Sequence, residues 1–352
     1  MKVLHVVGAR PNFMKVAPVL NALKCHQHVA QTLVHTGQHY DANMSDVFLE
    51  QLGISAPDVN LAVGSHSHAR QTAEIMTRFE PVALERKPDI VLVYGDVNST
   101  VAAALVCAKL GIRVGHVEAG LRSFDRTMPE EINRLVTDQL ADALYTPSED
   151  GDRNLQREGI APEKIFRVGN VMIDTLVKLL PLAQSQRRDG LPERYALVTL
   201  HRPANVDDGA ALKSILQSLL EVNRDLAVVF PAHPRTRRNI SAIGLNLGQL
   251  RLLDPLPYVD FLGLQSRATV VITDSGGIQE ETTYLGIPCL TLRENTERPV
   301  TVSLGTNVLV GRDRDKLRSE LSLVFAGKAK KGTVPPFWDG HAGERIADLL
   351  AG

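Results

Sequence analysis

Thr273-Asp274-Ser275-Gly276-Gly277-Ile278-Gln279-Glu280-Glu281 reads as a strand end, a glycine turn and a helix start. Val270, Val271 and Ile272 before it are apolar and β-branched, while Ile278, Tyr284 and Leu285 after it fall on the apolar positions of a helix. Such a turn aims backbone N–H groups and the positive end of the helix dipole at one point, a ready seat for a phosphate. Glu280 and Glu281 are expected in the first helical turn, where a carboxylate can accept from a ribose diol. An ordinary βα turn fits the same residues, so the rest of the chain must separate the two.

At 352 residues the chain exceeds one typical core, and two domains are expected. A composition of 44% hydrophobic and 22% charged residues is that of a globular protein in water. The net charge of −1 gives no field for nucleic acid, and the basic clusters Arg235–Arg238 and Lys328–Lys331 are short. No apolar run approaches the roughly 20 residues that cross a bilayer, so no membrane partner is expected. Met1–Val7 reads as a strand rather than a signal peptide, and the expected compartment is cytoplasmic. Cys25, Cys107 and Cys289 lie far apart and read as reduced packing residues. His66 and His68 lack a third ligand at a recognisable spacing, so no metal is expected.

The first half alternates strand and helix, with strands at Val3–Val7, Val29–Thr36, Ile90–Tyr94, Val114–Val117 and Ala143–Thr146. Each runs into polar residues, and ligands of open α/β sheets bind at that edge. Arg10 and Lys15 fall at the start of a helix, where the dipole disfavours cations, which points to an anion between them. Asp96 and Glu118 follow two of the strands, and Glu131 opens a nearby helix. Three carboxylates there exceed what helix capping needs.

The polar stretch Gln184–Arg194 leads into a second αβ alternation. Its strands end in His201-Arg202-Pro203, in Pro231-Ala232-His233, in the opening motif, and in Arg293–Pro299. The expected fold is therefore α/β, with two Rossmann-like, doubly wound domains facing a central cleft. The N-terminal domain is expected over residues 1–168 and the C-terminal one over 169–340. Gly8-Ala9-Arg10 is not a G-x-G-x-x-G turn and no G-x-x-x-x-G-K-[ST] loop occurs, which disfavours a nicotinamide enzyme and a P-loop NTPase.

In their order along the chain, several blocks resemble the non-hydrolysing UDP-N-acetylglucosamine 2-epimerases. They are Gly8-Ala9-Arg10-Pro11 with Lys15, Thr36-Gly37-Gln38-His39, Gly95-Asp96, His116–Arg122, Pro129–Arg134, His201-Arg202, Thr273–Glu281 and Thr296–Pro299. The resemblance implies a fold like that of the two-domain glycosyltransferases, a homodimer, no cofactor, and a last helix (about 341–352) that joins the first domain. It implies that Arg10, Lys15, Phe261, Ser275, Gly276, Gly277, Glu281 and Arg298 hold the UDP of a UDP-sugar. His201 would hold the UDP as well and count among the catalytic residues, and Asp96, Glu118 and Glu131 would be the catalytic carboxylates.

That chemistry explains the residue types. The C2 proton of an N-acetylhexosamine is not next to a carbonyl. Once UDP leaves, C1 becomes oxocarbenium-like and the C2 proton acidic, so the site needs cations for the diphosphate and carboxylates for the sugar. The products are UDP and a 2-acetamidoglucal, and readdition with protonation from the other face inverts C2. Asp96 is expected as the base and Glu118 as its partner across the ring, with Glu131 positioning or returning the proton.

By the same resemblance Gln38, His39, Arg70, Gln71, Arg202 and His233 would hold a second UDP-GlcNAc as activator. Many family members read His-Arg-Arg-Glu-Asn where this chain has His201-Arg202-Pro203-Ala204-Asn205. Tyr40-Asp41-Ala42-Asn43-Met44-Ser45 resembles the branch acting on UDP-2,3-diacetamido-glucuronate. That substrate, a hydrolysing epimerase, a glycosyltransferase and a non-catalytic UDP-sugar sensor are the alternatives. A sensor has no use for Asp96, Glu118 and Glu131 together.

Overall fold

The computed structural model describes residues 1–38, 46–186 and 190–352. His39, the Tyr40–Ser45 segment and residues 187–189 of the polar stretch lie outside the described residues. The chain divides into two compact units, Met1–Lys178 with Pro336–Gly352, and Leu179–Pro335.

Unit 1 carries β1 (Lys2–Val7), β2 (Ala30–His35), β3 (Val59–Asn60), β4 (Ile90–Tyr94), β5 (Arg113–Val117), β6 (Ala143–Thr146) and β7 (Ile165–Arg167). They form a parallel sheet in the order β3-β2-β1-β4-β5-β6-β7. Ile90-Val91-Leu92-Val93-Tyr94 is buried at every residue, as a strand covered by helices on both faces must be. Ala102, Ala103 and Ala104 let the helix Asn98–Leu110 pack closely into the apolar core around Leu4, Val6, Val91 and Phe79. The strand order reverses between β1 and β4, so the segments leaving these two strands border the crevice where doubly wound sheets take ligands.

Unit 2 repeats the plan with β8 (Tyr195–Thr199), β9 (Ala227–Pro231), β10 (Arg251–Leu253), β11 (Val270–Thr273), β12 (Cys289–Thr291) and β13 (Asn307–Leu309). Their order is β10-β9-β8-β11-β12-β13, again parallel, with the reversal between β8 and β11. The opening motif of the sequence thus leaves a strand beside the reversal.

The boundary expected at residue 168 falls instead inside the helix Val171–Ser185, after Lys178. The first half of that helix is bound to unit 1. Thr175 Oγ1 donates to Met14 O at 2.6 Å and Lys178 Nζ to Leu52 O at 2.8 Å. The Asp174 carboxylate accepts from the N–H groups of Ala342 and Gly343, at the start of the helix Ala342–Ala351. Burial pushes the Asp174 carboxyl up to about 6, against those two bonds. The returning segment joins unit 1 from Pro336, earlier than 341, because buried Trp338 donates from Nε1 to Pro147 O at 2.8 Å. Gly343 is required where this helix crosses Pro18, since a Cβ there would lie 2.7 Å from the Pro18 carbonyl carbon.

Among the described residues no helix is long and apolar enough to cross a membrane. Nor does any group of three or more His, Cys, Asp or Glu among them stand ready for a metal ion. The three cysteines are free.

Candidate functional site

In unit 1 the chain leaving β1 is pinned at once. Gly8 N and Ala9 N both donate to Asn12 Oδ1, and Asn12 Nδ2 donates to Tyr94 O at 2.8 Å. This ties the start of the helix Arg10–Leu23 to the end of β4. The Arg10 guanidinium lies over the Phe48 ring, 4.9 Å from its centroid. Lys15 is buried and bonds Glu118 Oε2, so the anion that the sequence led us to expect beside it is, for Lys15, a carboxylate of the chain itself.

Two left-handed turns set that pair beside Gly95, the residue before Asp96. Tyr94 and Val117 are register partners on β4 and β5, and Gly95 and Glu118 follow them. Gly95 has φ +67, and a Cβ there would stand 2.6 Å from Lys15 Nζ, so only glycine fits. Glu118 itself has φ 74, a left-handed conformation that costs a non-glycine residue about 1 kcal/mol or more and clusters at functional sites. Its N–H and that of Ala119 both donate to Tyr145 O, which holds the turn. Below it, His116 Nδ1 lies 2.6 Å from Asp138 Oδ1 and Nε2 donates to Gly95 O. Asp138 also accepts from Gly120 N and meets Arg122 at 2.7 Å. Burial opposes the Asp138 charge, but His116 and Arg122 outweigh it and hold the carboxyl below its usual range.

Glu131 is placed differently from the other two carboxylates. It is buried, with Oε2 accepting from Ser123 N, Ser123 Oγ, Arg134 Nε and Arg134 Nη2, and Oε1 accepting from Phe124 N. Burial raises its carboxyl, but those N–H donors and the Arg134 guanidinium prevail and lower it. An ionised carboxylate so occupied is a poor proton carrier, and the arrangement favours its positioning role. The sequence reading passed over Arg134, although Glu131 and Arg134 stand three apart on one helix face. Its Nη1 bonds Asp96 Oδ2.

In unit 2 the turn after β11 enters the helix Gly276–Leu285, with Ser275 at its N-cap and the first N–H groups beyond reach of an earlier turn. Asp274 is wholly buried. It accepts from His201 N, Arg202 N and Asn205 Nδ2 and lies 2.9 Å from His201 Nδ1, stitching the end of β8 to that of β11. Burial works against its charge, but His201, Asn205 and the Arg202 N–H lower the carboxyl. His201 is exposed, and with Nδ1 at Asp274 its Nε2 is left for a ligand.

Glu280 and Glu281, expected in the first helical turn, lie in the second and are buried, because Ser275 is the cap and Gly276 already the first helical residue. Glu280 pairs with Arg298 Nε at 2.7 Å. Glu281 accepts from the Tyr258 hydroxyl at 2.9 Å. Burial, with the Glu280 charge adding to it, pushes the Glu281 carboxyl up to about 7 against the bonds of Tyr258 and Gln265. Phe261 is half-buried in the same helix as Tyr258 and packs on the apolar cluster under β8 and β11.

Arg298 Nη1 and Arg293 Nη2 each bond Glu297 at 2.7 Å, with Arg202 Nη2 at 3.5 Å. Three guanidiniums thus gather about Glu297, and Arg298 also meets Glu280. A Cβ on Gly276 would stand 2.5 Å from Arg298 Nη1, so the glycine lets the helix start lie against this cation. Arg293 Nη1 is buried with no hydrogen-bond partner among the described residues. Guanidiniums gathered beside a helix N-terminus, one of them with an N–H group still to place, suit an anion. Arg293, Glu297 and Asp274 belong to this site, although sequence reasoning gave none of them a role.

Of the six residues expected around a second nucleotide sugar, His39 lies outside the described residues, Gln38, Arg70 and Gln71 belong to unit 1, and Arg202 and His233 belong to unit 2. Gln38 and Gln71 are buried in unit 1, where Gln38 Oε1 accepts from Ser99 N and Oγ and Gln71 holds Gln38 O, Gly64 O and Asn98. Arg70 is exposed and pairs with Glu74 at 2.8 Å. In unit 2, Arg202 reaches Glu297, and His233 caps the helix Pro234–Ile243 by accepting from Arg235 N.

Comparison with known proteins identifies the family. A family model described as UDP-N-acetylglucosamine 2-epimerase matches residues 21–351. A protein of Methanocaldococcus jannaschii named UDP-N-acetylglucosamine 2-epimerase is 41% identical, over 99% of this chain and 99% of its own length. A Pseudomonas aeruginosa protein named UDP-2,3-diacetamido-2,3-dideoxy-D-glucuronate 2-epimerase is 43% identical, over 100% and 99%. The crystal structure of an M. jannaschii UDP-GlcNAc 2-epimerase in complex with UDP-GlcNAc and UDP superposes with a TM-score of 0.91 at 41% identity, covering 99% of each chain. Carboxylates at one strand edge, an anion site at a glycine turn and likeness over the full length agree, and the chain belongs to the UDP-N-acetylglucosamine 2-epimerase family.

Proposed function

We propose that the chain interconverts UDP-GlcNAc and UDP-ManNAc without hydrolysis, by eliminating UDP to a 2-acetamidoglucal and adding it back. The observation that carries this reading is the pair of turns after the neighbouring strands β4 and β5, where Glu118 Oε2 would stand 3.2 Å from a Cβ on Gly95, the residue before Asp96. The anion site of unit 2 takes the departing diphosphate, with Ser275, Gly276, Gly277, Arg298 and Arg293 as donors, Glu281 on the ribose and Phe261 near the uracil. Arg10 adds a cation from unit 1. Lys15 acts through Glu118, which it already bonds, and His201 offers Nε2 to the diphosphate. Each donor bond strengthens as negative charge builds on UDP, which lowers the barrier to C1–O cleavage. Asp96 then removes the C2 proton while Glu118 balances the oxocarbenium charge, and protonation from the opposite face before UDP returns inverts C2.

The finer expectations belong to the same reading: a homodimer in the cytoplasm that makes ManNAc-type precursors for surface polysaccharide. Activation by a second UDP-GlcNAc draws support from Arg202 and His233, which stand near the ends of β8 and β9. Pro203 and Ala204, in place of Arg and Glu, weaken it.

A second substrate is favoured by the 43% identity to the diacetamido-glucuronate epimerase. Comparing kcat/KM for UDP-GlcNAc and UDP-2,3-diacetamido-glucuronate separates the two. A ratio above about tenfold in either direction, equal to 1.4 kcal/mol of transition-state discrimination, assigns the substrate. Free N-acetylmannosamine in the UDP-GlcNAc reaction would contradict the non-hydrolysing mechanism.

Glu281 makes binding pH-dependent. Two ribose hydroxyls need an ionised acceptor, and burial has raised this carboxyl to about 7. Binding therefore releases a proton, and affinity rises with pH through that value. The phosphates of UDP-GlcNAc carry no proton in this range. Calorimetry on the Asp96→Asn protein, which holds the ligand without turning it over, should show affinity about tenfold weaker at pH 6 than at pH 8. Glu281→Gln should flatten the profile.

A further inference from the structure

We propose that Arg134 is the positioning residue for the base, fixing the Asp96 carboxylate, and that Glu131 serves as its buried anchor. This rests on the epimerase reading above. The helix Pro129–Leu140 grips the β4 turn twice, since Asn133 Nδ2 donates to Asp96 O at 2.9 Å and Arg134 Nη1 to Asp96 Oδ2. The opposite edge of the guanidinium, Nε and Nη2, is spent on Glu131 Oε2. Glu131 is in turn locked by Ser123 and Phe124, so one planar fork connects a rigid anchor to a movable carboxylate.

Neutralising Glu131 does not require the third contact. Arg134 is 2% exposed and Glu131 2%, whereas the Asp96 side chain is 29% exposed, so the fork reaches from the core to a group open to a ligand. Among the described residues the Asp96 carboxylate bonds only Arg134, through Oδ2, which leaves Oδ1 to meet the C2 proton. Proton transfer falls off steeply with misplacement, and an ångström of drift can cost about 10²-fold. A lysine cannot substitute, because it brings a point charge rather than a fork that spans two carboxylates.

The test compares wild type, Arg134→Lys and the double variant Arg134→Met/Glu131→Gln, which leaves no unpaired charge in the core should the single variant fail to fold. Three quantities are read: kcat with UDP-GlcNAc, the primary isotope effect on kcat with substrate deuterated at C2, and the affinity for UDP. We expect kcat to fall about 10²-fold in either folded variant. The isotope effect should rise above that of wild type as C2–H cleavage becomes limiting, with UDP affinity within about threefold of wild type. A merely structural role would lower kcat with the isotope effect unchanged, and that result overturns the proposal, as does wild-type kcat in either variant. If wild type itself leaves the C2 proton in place, the epimerase reading fails and takes this role with it.

Discussion

Asp96→Asn is expected to lower turnover by about 10²–10⁴-fold, equivalent to roughly 3–5 kcal/mol of transition-state stabilisation. The substitution is nearly isosteric. An asparagine Oδ1 can still accept from Arg134 Nη1, and the carbonyl bond from Asn133 is untouched, so the β4 turn should keep its shape. What disappears is the acceptor for the C2 proton. UDP affinity should stay within about threefold, because the proposed diphosphate and ribose donors lie mainly on unit 2. Steady-state kinetics together with UDP calorimetry check both halves. Near-normal turnover would remove Asp96 from the mechanism and leave Glu118 as base, while a large loss of UDP affinity would make it a binding residue.

Glu297→Gln should destabilise unit 2 by about 3–5 kcal/mol. Glu297 is buried, and Arg293 and Arg298 each hold it at 2.7 Å, with Arg202 at 3.5 Å. Burial alone would raise this carboxyl, but the guanidiniums of Arg298, Arg293 and Arg202 pull it well below the usual range. A carboxyl depressed on folding contributes stability above its unfolded pKa and loses it only as pH falls toward the folded value. The contribution is therefore complete at neutral pH, and mild acid should not mimic the variant. Removing the charge takes away the carboxylate that Arg293, Arg298 and Arg202 share. Excess UDP should recover part of the loss, since its diphosphate supplies negative charge to the same cluster. Denaturant unfolding with and without UDP measures both effects. A variant as stable as wild type would mean that these guanidiniums do not depend on the Glu297 charge.

The strands that the sequence made legible are the interior ones. β4 and β11 are buried at every position because helices cover both faces of a parallel sheet. The elements passed over, β3, β7, β10 and β13, are the edges of the two sheets and run only two or three residues each. Such short runs carry no periodicity to read. The unit boundary was missed for a related reason: Asp174, Thr175 and Lys178 bind partners far away in sequence, which composition does not reveal.

At the site, the strand-end rule marked Asp96, Glu118, His201 and Ser275, and each lies within two residues of the carboxyl end of a strand. Their pairings were not legible, because Lys15 meets Glu118 only once β1, β4 and β5 lie side by side. Likewise Glu131 looked like a third equivalent carboxylate until its five donors were seen. The displacement of Glu280 and Glu281 by one turn follows from a single choice, serine rather than a later residue as the cap.

The most direct test of the central claim is proton NMR of the purified protein with UDP-GlcNAc in D₂O. Elimination through Asp96 predicts a UDP-GlcNAc/UDP-ManNAc mixture in which the C2 signals vanish as deuterium enters, without added cofactor. Conversion with the C2 proton retained, or a spectrum that does not change, would contradict it.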